Sequence, residues 1–302
     1  MHTGTVHNVF DEFRLNEAMY RKMHAVFYIM LKQSHVRLEV IRCKEICELL
    51  VDSHAHLQWA SFNKDLEDVL DRAAREGVEN VVNVGFDFDG SRKGIELADK
   101  YNELYAAVGF HPHVANQLDD NILDELEKLS ENRKVVAIGE IGLDYYRKLS
   151  PIEVQWRTFI TQLSLAEKLD LPVIVHNREA HADVVKALSK FKGKIRGVMH
   201  CFSGSKDMAR QCIKMGFYIS FAGSVTYPNS RGLREVVQWI DLNRILLETD
   251  CPWLAPQDVR GKRNEPAFLV FTARKIAELK KISIDGLTSA TVANTNELFR
   301  MR

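Results

Sequence analysis

The chain has 302 residues, enough to bury a large core either as one α/β barrel or as two smaller domains. Lys and Arg together number 41, as do Asp and Glu, which excludes a global field that would hold the chain on nucleic acid or an anionic membrane; a polyanion must be met by a local patch. The 5 cysteines (Cys43, Cys47, Cys201, Cys212, Cys251) are odd in number and form no CxxC pair, which points to reduced thiols without disulfides in a cytoplasmic protein.

Residues 1–48 stand apart. Their helix-favouring composition ("FRLNEAMYRKMHAVFYIMLKQ") predicts a helical or partly disordered extension ahead of one domain at 49–302, and nothing in them suggests chemistry. Their apolar run at 25–31 is far shorter than the ~20 residues of a membrane span. No small-residue cleavage site follows it, so it is read as neither anchor nor signal peptide.

From Leu49 onward one pattern repeats: a short apolar run, a polar loop, then an amphipathic segment of helical period. The runs are "LLVDSHAHL", "NVVNVGF", "YAAVGFHP", "VVAIGEIGL", "LPVIVHNR", "RGVMHCFSG", "FYISFAG" and "RILLETDCPWL". Between the first two, Leu66, Val69, Leu70, Ala73 and Ala74 form a helical stripe that stops at Gly77, a residue suited to the left-handed turn after a helix. After the fourth, "SPIE" predicts a helix start with Ser150 as cap, Pro151 at the first helical position and Glu153 closing a capping box. A later stripe carries Val184, Val185, Leu188 and Phe191. Eight strand–helix units over about 250 residues match the (β/α)8 TIM barrel. A doubly wound open sheet is the alternative, but no GxGxxG follows the first run.

Each run ends in residues a core would not choose: His54 and His56 on the first, His111 and His113 on the third, Glu140 on the fourth, His176 on the fifth, His200 on the sixth, Asp250 on the eighth. In a barrel these ends meet on one rim, where the catalytic groups of this fold assemble. Strand residues two apart point the same way, so His54 and His56 converge, and neutral imidazoles suit zinc-like divalent ions. Three protein ligands satisfy one catalytic zinc, so the larger set here suits two ions. Two ions sharing a hydroxide imply hydrolysis.

The ordered set "DSHAHL", "GFHPH", "AIGEIGLDYYR", "VHNREA", "HCFSG", "LLETDCPWL" and "RGKRNEP" resembles the TatD family of metal-dependent deoxyribonucleases, within the amidohydrolase-like superfamily. The resemblance runs from about Val51 to the C-terminus. It implies a TIM barrel and a divalent-metal-dependent exonuclease acting 3′ to 5′ on DNA, as a monomer, with Mg²⁺, Mn²⁺ or Zn²⁺. Carried over residue by residue, His54, His56 and Asp250 hold the first ion, His176 and His200 the second, and Glu140 bridges both. Asp250 is in addition the base toward the attacking hydroxide. His111 and His113 are expected near the scissile phosphate, Arg178 as a bidentate phosphate contact, and Arg260 and Arg263, with Lys262, as a basic loop on the same rim. Of the aromatics near the rim (Tyr145, Tyr146, Phe202, Tyr227, Trp253), one or two are expected to stack on bases. Cys201 and Cys251, each adjoining a ligand, are expected to face away from the site. The same metal chemistry also serves an amide, ester or lactone hydrolase or an aminoacyl-tRNA deacylase, because the ligands do not choose between phosphorus and carbonyl carbon. A barrel kept only as a binding scaffold is the third reading, and the complete ligand set argues against it.

Overall fold

A computed structural model describes residues 49–301; the extension expected over residues 1–48 lies outside them. Eight parallel strands follow one another in sequence order around the sheet: β1 (Leu50–Ala55), β2 (Val78–Val84), β3 (Leu104–Val108), β4 (Val135–Asp144), β5 (Val173–Arg178), β6 (Gly197–Met199), β7 (Phe217–Phe221) and β8 (Ile245–Leu247). Each corresponds to one of the eight apolar runs. The last strand returns to the first: Ala55 bridges Cys251, and His56 N–H donates to Cys251 O at 2.9 Å. The fold is the nearly closed (β/α)8 barrel that the repeat predicts.

Helices cover the outside: α1 (Leu66–Arg75), α2 (Phe88–Lys100), α3 (Asp120–Leu129), α4 (Ile152–Leu169), α5 (His181–Ser189), α6 (Lys206–Lys214), α7 (Arg231–Trp239), α8 (Leu269–Lys280) and α9 (Ile284–Phe299). Their starts are chemically marked. Asp87, Asp119, Ser205 and Ser283 each accept, through the side chain, the N–H three residues on, satisfying a donor that the helix itself leaves unpaired. α1 stops where expected, with Gly77 at φ 83°. The capping box at Ser150 does not form. Pro151 lies just outside α4, and the Ser150 hydroxyl instead donates to His113 O at 3.1 Å, because Gln155 takes over the local backbone through Ser150 O (2.8 Å) and Asp144 N–H (2.9 Å).

Strand alternation divides the apolar residues into two bodies. Leu104, Val173, Val175, Phe217, Ile219 and Phe221 pack outward against the helices. Val82, Ala107, Val136, Ile174, Val198, Tyr218 and Leu246 fill the interior, where they meet Leu298 and Phe299 from the end of α9. Arg196, immediately before β6, donates to Leu298 O at 3.5 Å, which places this plug at the N-terminal end of the strands. Among the described residues no helix is long and apolar enough to cross a membrane, and the three described cysteines are free.

Candidate metal centre

The polar residues that end the apolar runs collect at the C-terminal ends of the strands. β6 and β8 have only 3 residues each, so two expected strand residues sit in the turns beyond: His200 directly after Met199, and Asp250 past Leu247. Asp250 adopts φ 55°, a left-handed conformation uncommon outside glycine, while its N–H donates to His54 O at 2.9 Å. That bond turns the chain across β1 and brings the carboxylate to the two histidines. His176 reaches the centre because β4 and β5 approach closely: a Cβ on Gly142 would lie 2.0 Å from His176 O.

Glu140 is the focus. Its Oε2 lies 3.5 Å from His54 Nε2 and 3.6 Å from His56 Nε2, and Asp250 Oδ1 lies 3.8 and 3.6 Å from the same two nitrogens. Its Oε1 lies 2.7 Å from His176 Nδ1, 3.0 Å from His200 Nε2 and 3.4 Å from His111 Nε2. Two clusters of ligand type therefore share one buried carboxylate: His54, His56 and Asp250 on one side, and His111 and His176 with Glu140 on the other.

The hydrogen-bond partners fix which ring atoms are lone pairs. His56 Nδ1 is 2.7 Å from Val84 O, which can only accept, so Nδ1 carries the proton and Nε2 presents a lone pair to the centre. His200 Nδ1 lies 3.2 Å from Glu248 Oε1 without a hydrogen bond, so its tautomer is not fixed by a partner. His54 and His56 bring Nε2 to Nε2 at 3.0 Å. Within each cluster the ligand atoms lie within 4.8 Å of one another, and the buried His54 Nδ1 has no hydrogen-bond partner; a cation is the group that such a crowd of ligand atoms can hold. This donor set of imidazole nitrogens and carboxylate oxygens fits a divalent ion. His111 is different: its Nδ1 accepts His113 N–H at 3.1 Å, so the neutral ring holds its proton on Nε2, aimed inward. It enters the centre as a donor.

The electrostatics agree. Burial, with the nearby His200, pushes the His54 pKa down to about 3, and burial pushes His111 down to about 4, so both rings are neutral. Burial opposes charge on Glu140, but His200, His111 and His176 outweigh it and hold the carboxyl well below its ordinary value. Burial also opposes protonation of His200, yet Glu140 and Glu248 raise its pKa well above the ordinary value. The carboxylates of the centre favour positive charge, which burial keeps off the His54 and His111 rings.

Three further acids support it that sequence reasoning did not single out. Asp144, at the end of β4, places Oδ2 2.8 Å from His113 Nε2 and 3.4 Å from His176 Nε2, while Oδ1 accepts the N–H groups of Tyr146 and Arg147 at 2.9 and 2.7 Å. Burial disfavours its charge, but His176, Arg147 N–H and His113 together hold its pKa below the ordinary carboxylate range. Glu248 accepts Cys201 N–H at 2.6 Å and faces His200. Asp52 joins β1 to the β8 turn through Thr249 N–H (2.9 Å), Thr249 Oγ1 (2.5 Å) and His54 N–H (3.2 Å). Each stands inside one of the ordered motifs, and the available signal is an acid at a position where a buried strand calls for an apolar residue.

The residues expected to meet substrate divide. His111 lies in the centre and His113 is held beside it by Asp144. Arg178 is exposed and stacks 4.0 Å over the Tyr146 ring, and Arg260, also exposed, stacks 4.1 Å over Tyr227. Arg263 corrects the expectation: its guanidinium binds Asp65 at 2.9 and 2.6 Å and also donates to Ser61 O, so it braces two loops and has no free fork for phosphate. Tyr145 donates to Asp183 at 2.8 Å and Phe202 is buried in the core, so neither is a stacking surface, whereas Tyr146 and Trp253 are exposed. Cys251 is buried with the outer core as expected. Cys201 follows the end of β6, and burial together with Asp250, Glu248 and Glu140 raises its thiol pKa well above the ordinary value.

Comparison with known proteins identifies the family. The family model described as TatD related DNase matches residues 51–300. The metal-dependent hydrolase YabD of Bacillus subtilis is 44% identical over 254 residues, covering 84% of this chain and 100% of YabD. The 3′-5′ ssDNA/RNA exonuclease TatD of Citrobacter koseri is 35% identical over 257 residues, covering 83% of this chain and 98% of that protein. The crystal structure of YjjV, a TatD homologue from Escherichia coli, superposes with a TM-score of 0.80 at 33% identity, covering 85% of this chain and 99% of YjjV. The chain belongs to the TatD family and is a metal-dependent hydrolase acting on ester bonds.

Proposed function

We propose that this hydrolase is a two-ion nuclease that removes nucleotides 3′ to 5′ from DNA, acting on single strands and ends. The observation that carries the two-ion part is Glu140: its two oxygens face separate ligand clusters, His54, His56 and Asp250 on one side, His176 and His200 on the other. The nucleic-acid part is supported by the Citrobacter relative, itself a 3′-5′ ssDNA/RNA exonuclease. Two divalent ions, Mg²⁺, Mn²⁺ or Zn²⁺, held by these residues would supply a nucleophile at neutral pH and would neutralise charge on the attacking and leaving oxygens.

The remaining roles belong to the chain. Asp250 Oδ1, beside both His54 and His56, is the carboxylate that takes up the proton released during attack. His111, its Nδ1 occupied by a backbone N–H, directs Nε2–H at a non-bridging phosphate oxygen, and Asp144 steadies His113 beside it. Val84 O fixes the His56 ring so that its lone pair faces inward, and Glu248 lies 3.2 Å from the outer nitrogen of His200. Arg178 and Arg260 supply the local positive charge that the neutral chain lacks as a whole.

The test uses metal-stripped protein and an end-labelled single-stranded DNA, with Mg²⁺, Mn²⁺ and Zn²⁺ restored in turn and Glu140→Ala alongside. Stepwise shortening from the 3′ end that needs both ion and Glu140 is the expected result. Absence of cleavage with two ions bound would move the reading to carbonyl substrates.

A further inference from the structure

Three aromatic rings stand against the first ligand cluster. Trp253 lies 5.2 Å from the His56 ring, edge to face, and 5.3 Å from Trp59; Trp59 stacks on Phe86 at 5.2 Å with 16° between planes. They come from different loops, after β8, β1 and β2 respectively. Both tryptophans keep much of their surface in water, Trp59 at 37% and Trp253 at 45%, although each already has ring neighbours. An indole serving only to pack a loop would be expected to bury more of its area. Among the large exposed hydrophobics of the described residues, these two touch each other, and Trp253 touches a residue of the metal centre.

Charge around the rim says what such a surface would receive. Two arginines of this sector are held by carboxylates: Arg263 by Asp65, and Arg72 by Glu265 at 2.7 Å. Arg178 and Arg260, by contrast, lie within 4.0 Å of no carboxylate among the described residues, each resting on a tyrosine ring. Phosphates are therefore drawn toward Arg178 and Arg260, while the Trp59–Trp253 wall offers π surface. A flat, uncharged aromatic group attached close to the reacting phosphate is the matching ligand. In a nucleic acid that group is a base whose face is free, as at an end or in a single strand.

We infer that Trp59 and Trp253, backed by Phe86, form a stacking wall that takes one nucleobase adjoining the scissile phosphate, whichever base it is. This rests on the nuclease reading above and adds the base site to it. Stacking of this kind tolerates any sequence, because every base presents a π face.

Two 5′ dye-labelled oligonucleotides of equal length test it, a pentathymidylate and the same backbone with abasic tetrahydrofuran in place of every base, titrated by dye anisotropy against every variant and, for the unaltered full chain, by intrinsic fluorescence as well. The wall contains 2 of the 4 tryptophans, so its occupation registers as quenching. The pentathymidylate is expected to quench and to bind about 10-fold tighter than the abasic strand. Trp59→Leu with Trp253→Leu should abolish that difference, and Trp59→Phe with Trp253→Phe should restore it, which a merely structural role would not do. Equal binding of the two strands by the unaltered protein, or a preserved difference in the leucine variant, overturns the inference. Cleavage of the labelled strand, scored separately, distinguishes the two readings: cleavage without base dependence defeats only the wall, and base-dependent binding without cleavage defeats only the nuclease. Neither binding nor cleavage defeats both.

Discussion

At the N-terminal end of its strands the barrel is filled by Val82, Ala107, Val136, Ile174, Val198, Tyr218 and Leu246 and closed by Leu298 and Phe299, all apolar but one tyrosine. At the other end the same walls carry His54, His56, His111, Glu140, His176 and His200, almost all equally withdrawn from water. Burial is therefore not what separates a stabilising end from a reactive one. The lower layer gains free energy from each methyl group removed from water, whereas the upper layer buries polar groups that cost free energy unless a partner satisfies them. A partner that can hold so many convergent ligand atoms is an ion, and the stability of the lower end offsets the cost of keeping them poised.

The sharpest way to break this comparison is to remove the shared carboxylate. Glu140→Gln leaves the size of the side chain and deletes the charge that faces both clusters. Turnover should fall roughly 10²–10³-fold or more, and elemental analysis should show fewer than two ions per chain. Full turnover with unchanged ion content would mean that the two clusters do not act as one centre.

At the opposite end, Phe299→Ala should lower unfolding free energy by ~3–5 kcal/mol, because a fully packed ring leaves a cavity that the barrel floor refills only in part. Turnover per folded molecule should stay within about twofold. A large loss of kcat in this variant at a temperature where it is still folded would show that the floor positions the rim, and the division of labour would have to be abandoned.

How far the sequence alone revealed each end follows from the same physics. The eight strands were legible because apolar runs between turn residues carry their own period, and the ligands were legible because a packed core seldom places His or Glu at the end of such a run. The short β6 and β8 were not: that His200 and Asp250 sit beyond the strands depends on bonds such as Asp250 N–H to His54 O, between residues almost two hundred positions apart. The brace role of Arg263 was illegible for the same reason, since Asp65 lies on another loop. The failed cap at Ser150 shows a correct local motif losing to a long-range partner, His113 O.

Asp52 sits between the two ends and sharpens the comparison through pH. Burial raises its pKa from 3.8 to about 7 despite the bonds from Thr249 and His54. In the metal-free protein the folded chain therefore holds a proton between those values that the unfolded chain has released. Its contribution is complete below pH 3.8 and is lost as pH rises through about 7. Asp52→Asn cannot titrate and should remove that fall, which is capped at ~4 kcal/mol. Denaturant midpoints of both proteins across this pH range measure it. Parallel curves would show that Asp52 is ionised in the fold throughout.

The smallest effect separates the two kinds of rim arginine. Arg178 is exposed over Tyr146, so a phosphate contact made there competes with water and is screened by salt. Arg178→Ala should raise KM for single-stranded DNA roughly 2–5-fold at low salt, leave kcat and stability unchanged, and lose its effect near ~0.5 M salt. Arg263→Ala should do the reverse: with the Ser61 carbonyl unpaired and Asp65 left only Arg72 at 3.6 Å, stability falls and the salt dependence of KM stays that of the parent. If Arg263→Ala instead flattened the salt dependence, the guanidinium must leave Asp65 when substrate arrives, and the sector beside the tryptophans would carry charge after all.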